Sequence, residues 1–391
     1  MGKRIFISDI HMGDSKSVEQ SSSGNRYGWF YSGLQAVNVT ENRPEMLATF
    51  LKEYCLDDRT VDEVIVLGDL FDQWICPVDV PPPDLMSIAT ASQNVPSIDV
   101  LKALAKDGRL WYLPGNHDML ADETLMKNIF GRGLNYIPSL PREEGHNVFY
   151  RKEERIWAEH GHWYGLFNAP ETESPGQGYS KSILPIGYFV SRIVAEWALN
   201  TGKRITPLQI LWECVKDHPT GAAEDIDDAL AGALAVLVKD QGGGHANVVC
   251  NVGGISGSPS WGDVGQHYRH IYSGWNGNID AVHAAECDAI DLWYPACKTP
   301  QDHNEVRIVI FGHTHEQVLW PIDDGISPGS VRRVYANAGA WAYDAKPCTF
   351  IETEVVGKKH YVSRKEWFLN ETTGRYEAAP LGRYWQDVVY L

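Results

Sequence analysis

Residues 63–72 read Glu63-Val64-Ile65-Val66-Leu67-Gly68-Asp69-Leu70-Phe71-Asp72. The apolar run predicts a buried strand, and Gly68 ends it. The chain then passes at once into two carboxylates. In open α/β sheets the chemistry sits in loops just past the carboxyl ends of strands, so this stretch predicts both a fold class and the place of a site.

Four further segments repeat the arrangement. The strand Ile5–Ser8 runs into Asp9-Ile10-His11, and Arg109–Leu113 into Gly115-Asn116-His117-Asp118. Ile156–Glu159 leads to His160-Gly161-His162, and Val306–Phe311 to Gly312-His313-Thr314-His315. Any one of these histidines alone would pass as a hydrogen-bonded core residue. Five such segments in order, each after a strand, point instead to loops that converge on a metal site. Carboxylates, imidazoles and an amide oxygen form a mixed nitrogen and oxygen set, suited to Mn²⁺, Fe or Zn²⁺ rather than to thiolate-seeking metals.

The 391 residues suffice for a large core, and 43% apolar with 22% charged side chains is a globular balance. A net charge of −17 disfavours a general nucleic-acid partner, because phosphate backbones call for clustered Lys and Arg. Seven scattered cysteines with no CxxC pair disfavour a disulfide framework or a thiolate zinc site and fit a reducing cytoplasm. The start Met1-Gly2-Lys3-Arg4 enters a strand directly and reads as lacking a secretory leader. The most apolar stretch, 183–199, is interrupted by Arg192 and Glu196. It is too short and too charged for a membrane span, which leaves peripheral contact as the membrane role to test.

Strands alternating with helices over 44–54 and 99–106 indicate an α/β architecture. After His160 the pattern changes: 182–200, 207–216 and 225–240 read as helices, and 245–300 shows no periodicity. We therefore expect 165–305 to be a largely helical insertion or cap within one domain spanning 1–391. Helices packed into the core are an equally good reading of that segment. Oligomeric state has no signature in the sequence.

The five motifs resemble those of the calcineurin-like metallophosphoesterases. The resemblance implies two packed mixed β-sheets flanked by helices and a pair of divalent metal ions, manganese foremost. Asp9, His11 and His315 would hold one ion, Asn116, His160 and His313 the other, and Asp69 would bridge them. His162, two positions on, is an alternative to His160. The implied reaction is hydrolysis of a phosphodiester or pyrophosphate in a small molecule, with a hydroxide shared by the metals attacking phosphorus. His117 would stabilise the transition state or protonate the leaving oxygen, with Asp118 orienting it and Asp72 either supporting the site or capping the next segment. Phosphomonoester or phosphoprotein hydrolysis, and a scaffold without catalysis, are rival readings. Within the family, 8–13 and 68–74 resemble the UDP-diacylglucosamine hydrolases of lipid A synthesis. Those enzymes carry Arg at the position of His117 and a shorter insertion.

Overall fold

The strands β1 (Lys3–Ile7) and β2 (Val61–Leu67) sort their side chains by alternation. Phe6, Ile65 and Leu67 face one core, while Ile5, Ile7, Val64 and Val66 face another. A computed structural model of the protein describes residues 2–28, 42–138, 148–164, 168–170, 184–201, 247–260, 263–264, 306–323, 332–342 and 347–390.

The remaining strands, in chain order, are β3 (Leu110–Leu113), β4 (Asn135–Tyr136), β5 (Phe149–Arg151), β6 (Ile156–Ala158), β7 (Cys250–Val252) and β8 (Ile255–Gly257). They continue with β9 (Ile308–Phe311), β10 (Val318–Asp323), β11 (Arg332–Asn337), β12 (Cys348–Val356), β13 (Lys359–Asn370), β14 (Arg375–Pro380) and β15 (Gln386–Tyr390). One mixed sheet has the order β14-β13-β12-β1-β2-β3-β4, with β15 also on β13. Its β1 to β4 run parallel, and β12 joins β1 antiparallel. The second mixed sheet, β10-β11-β9-β6-β5, has β6, β9 and β11 parallel.

Phe6, Ile65 and Leu67 meet Phe149, Ile156, Ile308 and Val334 between the sheets. Truncating a side chain such as Phe6 to Ala there costs roughly 3–5 kcal/mol. The outer face of the first sheet packs on α1 (Arg43–Thr49), α3 (Val95–Lys106) and α4 (Glu123–Phe130) through Leu47, Leu101 and Met126. Between α1 and α3 lies the short α2 (Leu85–Thr90). The expected α/β class, two packed mixed sheets with flanking helices, is the observed one.

Local differences have local causes. The helix expected over 44–54 is α-helical only to Thr49 and continues π-wound over Phe50–Leu56. Its bulky Phe50 and Tyr54 rings stack 5.6 Å apart there. The helix expected over 99–106 begins at Val95, because Pro96 is accommodated in its first turn. In the 165–305 segment, α5 (Ile186–Thr201) stands where a helix was expected. The helices expected over 207–216 and 225–240 lie outside the described residues. The hairpin β7–β8 was not foreseen, nor was the C-terminal antiparallel run β12 to β15. Residues on both sides of 165–305 contribute to both sheets. No helix among the described residues is long and apolar enough to cross a membrane.

Candidate metal centre

All five motifs lie at carboxyl ends of parallel strands: β1, β2 and β3 in one sheet, β6 and β9 in the other. Backbone bonds lock the loops together. Ile10 and His11 both donate to Asp69 O at 2.9 Å, Gly312 N donates to His160 O at 3.1 Å, and Trp341 N to Asp9 O at 3.0 Å. Asp9, His11, Asp69, His313 and His315 all have positive φ, between 52° and 69°. Among the described non-glycine residues only Arg155 shares that feature elsewhere. Each such residue costs of order 1 kcal/mol, and such strain concentrates at functional sites. Gly68 is required by close approach as well as by its φ of 82°, since a Cβ there would lie 2.6 Å from Gly115 Cα and from His160 Nδ1.

Among the described residues three groups of ligand atoms result, each within 4.8 Å of one another: Asp9, His11 and His315; Asp69, His160 and His313; and, linking these two, His11, Asp69 and His117. In the first, His315 Nε2 stands 3.0 Å from Asp9 Oδ1 and 3.1 Å from His11 Nε2. In the second, His160 Nε2 is 3.3 Å from Asp69 Oδ2 and 3.0 Å from Asn116 Oδ1. Asp69 Oδ2 also lies 3.9 Å from His11 Nε2, so this carboxylate touches both groups. Asp9 Oδ1 is buried and accepts no hydrogen bond. A carboxylate oxygen in that condition, with imidazole nitrogens aimed at the same point, is a donor set that a divalent cation satisfies. His162 lies beside these groups, its ring 5.2 Å from that of His160 and 6.4 Å from that of His313.

The charges support one another. Burial raises the Asp9 carboxyl, but His315 and His160 outweigh it and hold it at about 2. Burial likewise opposes ionisation of Asp69, which His160 and His117 drive well below the usual range. Burial lowers His160, yet Asp69 prevails and brings it to about 9, whereas burial and the neighbouring His160 take His313 down to about 3. Protons are thus shared unequally among histidines that bound cations would discharge.

A second ring of residues fixes these side chains. His160 Nδ1 donates to Leu67 O at 2.6 Å, which turns Nε2 toward Asp69 and Asn116. Asp72 accepts from His11 Nδ1 at 3.0 Å and from His117 Nδ1 at 2.9 Å. Asp72 is thus the carboxylate hydrogen-bonded to His117 Nδ1, the place where Asp118 was expected. Asp118 collects Asp69 N, Leu70 N, Phe71 N, Gly115 N and the Tyr112 hydroxyl, and so shapes the loops around Asp69 and Asn116. The segment 337–341 is more than a plain turn: Asn337 Nδ2 donates to Gly312 O at 2.7 Å and braces the His313 loop.

Two neighbours were missed. Asn168 Nδ2 lies 3.1 Å from His313 Nε2, and no sequence pattern marks it. Trp74 stacks on His117, with ring centroids 4.4 Å apart. Its place five residues after Asp69 was visible, but its partner was not.

Among solved structures, the chain is similar to Vps29 from Chaetomium thermophilum (TM-score 0.34, 10% identity, 100% of this chain and 97% of that one). It is also similar to vacuolar protein sorting 29 from Cryptosporidium parvum (TM-score 0.30, 11% identity, 100% and 98%). Over 95 residues, 24% of its length, it is 35% identical to UDP-2,3-diacylglucosamine hydrolase from Aromatoleum aromaticum. That match spans 35% of the relative, about a third of its length. The family model for calcineurin-like phosphoesterases matches residues 2–184. These residues make up just under half of the chain, and over them it is similar to the calcineurin-like phosphoesterases.

Proposed function

We propose that the protein hydrolyses a phosphodiester or pyrophosphate bond in a small molecule with the help of two divalent metal ions, manganese foremost. The observation that carries this reading is the pair of ligand groups meeting at Asp69. Asp9, His11 and His315 would hold one ion, and Asn116, His160 and His313 the other, with Asp69 between them. His160 is favoured over His162 because its Nε2 already faces Asp69 and Asn116. Bound there, the ions would supply Lewis-acid stabilisation of a phosphoryl group and an activated water near neutral pH.

The chain's own residues do the rest. With Nδ1 of His117 held by Asp72, proton transfer to a departing oxygen falls to its Nε2. Burial pulls this imidazole toward neutrality, but Asp72 and Asp69 outweigh it and raise its affinity for a proton, which suits a donor. Asp118 keeps the Asp69 and Asn116 loops in register. Scattered cysteines support placing this activity in a reducing cytoplasm.

A second reading, cleavage of the pyrophosphate of a nucleotide sugar, is favoured by the 35% identity to a UDP-diacylglucosamine hydrolase. The presence of His117 where that branch carries Arg weighs against it. The test is hydrolysis of bis-p-nitrophenyl phosphate, p-nitrophenyl phosphate and a UDP-sugar by metal-stripped protein, with and without Mn²⁺. Manganese-dependent turnover favouring the diester supports the first reading, and preference for the UDP-sugar the second. Preference for the monoester, or metal-independent turnover, defeats both.

A further inference from the structure

We propose that helix α5 sets the position of the His117 imidazole through two aromatic rings, Tyr188 against Trp74 and Trp74 against His117. Trp74 is then a positioning residue for proton transfer to the leaving oxygen. This deepens the proposed hydrolase reading and rests on it.

The Trp74 indole lies nearly parallel to the imidazole, 4.4 Å between centroids at an interplanar angle of 29°. Both residues end on the same oxygen: Asp72 Oδ1 accepts Trp74 N and His117 Nδ1, each at 2.9 Å. The His11 ring meets the imidazole edge to face, centroids 4.5 Å apart at 87°, and leaves a flat face of it for the indole. Packed on that face, the indole joins the Asp72 bond and the His11 ring in fixing the plane of the imidazole. Trp74 is only 1% exposed, so it fills this place without offering itself to solvent.

Helix α5 supplies a further ring against Trp74. Tyr188 meets the indole edge to face, centroids 6.0 Å apart at 90°. One helical turn on, the fully buried Arg192 donates to the Tyr188 hydroxyl at 2.5 Å. Its other N–H groups reach Cys76 O at 2.7 Å, Pro77 O at 2.6 Å, Val80 O and Val249 O at 2.9 Å. Cys76 and Pro77 follow Trp74 by two and three residues, so α5 is joined to the loop that presents the indole. A buried guanidinium satisfied by backbone oxygens costs much to disturb. The geometry of His117 is thereby tied to a helix from the 165–305 segment, far from any motif.

In the hydrolytic step a water oxygen bonds to phosphorus and the bond from phosphorus to the leaving oxygen breaks. The proton on His117 Nε2 passes to that departing oxygen, and the neutral imidazole regains a proton originating from the attacking water. The donor matters most when the leaving oxygen is strongly basic. Misplacing it should therefore harm poor leaving groups selectively, which loss of fold or of metal would not do.

The test uses full-length Trp74→Leu, Trp74→Phe and Tyr188→Leu proteins with manganese. The substrates are aryl methyl phosphodiesters running from dinitrophenol to unsubstituted phenol. Trp74→Leu should lower kcat for the phenol ester about 10-fold or more, and for the dinitrophenol ester by no more than about twofold. KM and bound manganese should stay close to wild type. Phe, which keeps a stacking face, should recover most of the loss, and Tyr188→Leu should show the same selectivity more weakly.

A second readout needs no activity. In metal-free protein labelled at histidine, the His117 ring protons should carry an upfield ring-current shift that Trp74→Leu abolishes and Tyr188→Leu reduces. Equal loss across the ester series, a change confined to KM, or His117 resonances unmoved by either variant would overturn the proposal. If wild type turns over none of the esters, the hydrolase reading fails by itself, while the resonances still decide whether α5 positions His117.

Discussion

His11 donates through Nδ1 to Asp72 Oδ2 at 3.0 Å, and that bond decides which of its nitrogens faces His315 and Asp9. The other oxygen of the same carboxylate holds His117. Burial opposes the charge on Asp72, yet His117 and His11 keep its carboxyl far below the usual range. An amide has one acceptor oxygen and cannot serve both rings. Asp72→Asn should weaken manganese binding about 10–100-fold, the usual effect of losing a hydrogen-bond partner behind a metal ligand. Turnover should fall with it, and the fold should survive, since the amide oxygen can still accept Trp74 N and Ile75 N. A manganese titration checks this. Unchanged affinity would leave Asp72 with only its turn to hold.

Asp118 poses the opposite case. Burial and the Asp69 carboxylate push it up to about 6, against the pull of Tyr112 and the backbone donors of Gly115 and Phe71. Its five donors come from three segments, so Asp118→Asn should destabilise the protein by roughly 2–4 kcal/mol as buried N–H groups lose an ionised acceptor. Urea unfolding measures it. An unchanged midpoint with lowered turnover would restore Asp118 to the role of partner for His117.

Asp69→Asn separates chemistry from folding. Asp69 Oδ1 accepts His117 N at 2.8 Å, a bond that an amide oxygen can keep. Its charge, which both ligand groups share, is lost. Turnover should fall by at least about 10³-fold, the scale on which electrostatic stabilisation is lost. Near-UV circular dichroism should stay that of wild type while bound manganese decreases. Full activity in this variant would sink the metal assignment.

The strands carrying the motifs were legible because a buried strand declares itself by an apolar run ending at glycine, as Val64–Leu67 does before Gly68. The convergence of Asp9, Asp69, His160, His313 and His315 was legible for the same reason: parallel strands end on one side. What surrounds those ligands was not. Asp72 and Asp118 look alike in sequence, each a carboxylate two or three positions past a motif residue. Only the distances show that one faces the imidazoles and the other the backbone. Trp74 and Arg192 read as ordinary core and ordinary helix. Their partners lie 43 and more than a hundred residues away in sequence, a separation that periodicity cannot bridge. The C-terminal strands carry less regular alternation: β14 is half-exposed along most of its length, so its sequence carries little apolar signal.

Far from the ligands, His360 gives the fold a pH dependence of its own. It is fully buried on β13 and donates through Nδ1 to Glu154 O at 3.1 Å. Burial, aided by Arg4 and opposed by the Glu154 carbonyl, lowers it from 6.5 to about 4. Between those values the unfolded chain takes up a proton that the folded one refuses. Its contribution is complete above pH 6.5 and is lost progressively as pH falls toward 4, at up to about 1.4 kcal/mol per pH unit. His360→Phe removes the titrating group, so the difference in unfolding free energy between wild type and variant should shift against wild type over this window. The histidines of the candidate centre titrate alike in both proteins and cancel from that difference. Urea unfolding of the metal-free proteins from pH 7 to pH 4 decides it, and parallel curves would mean that His360 gains its proton without resistance.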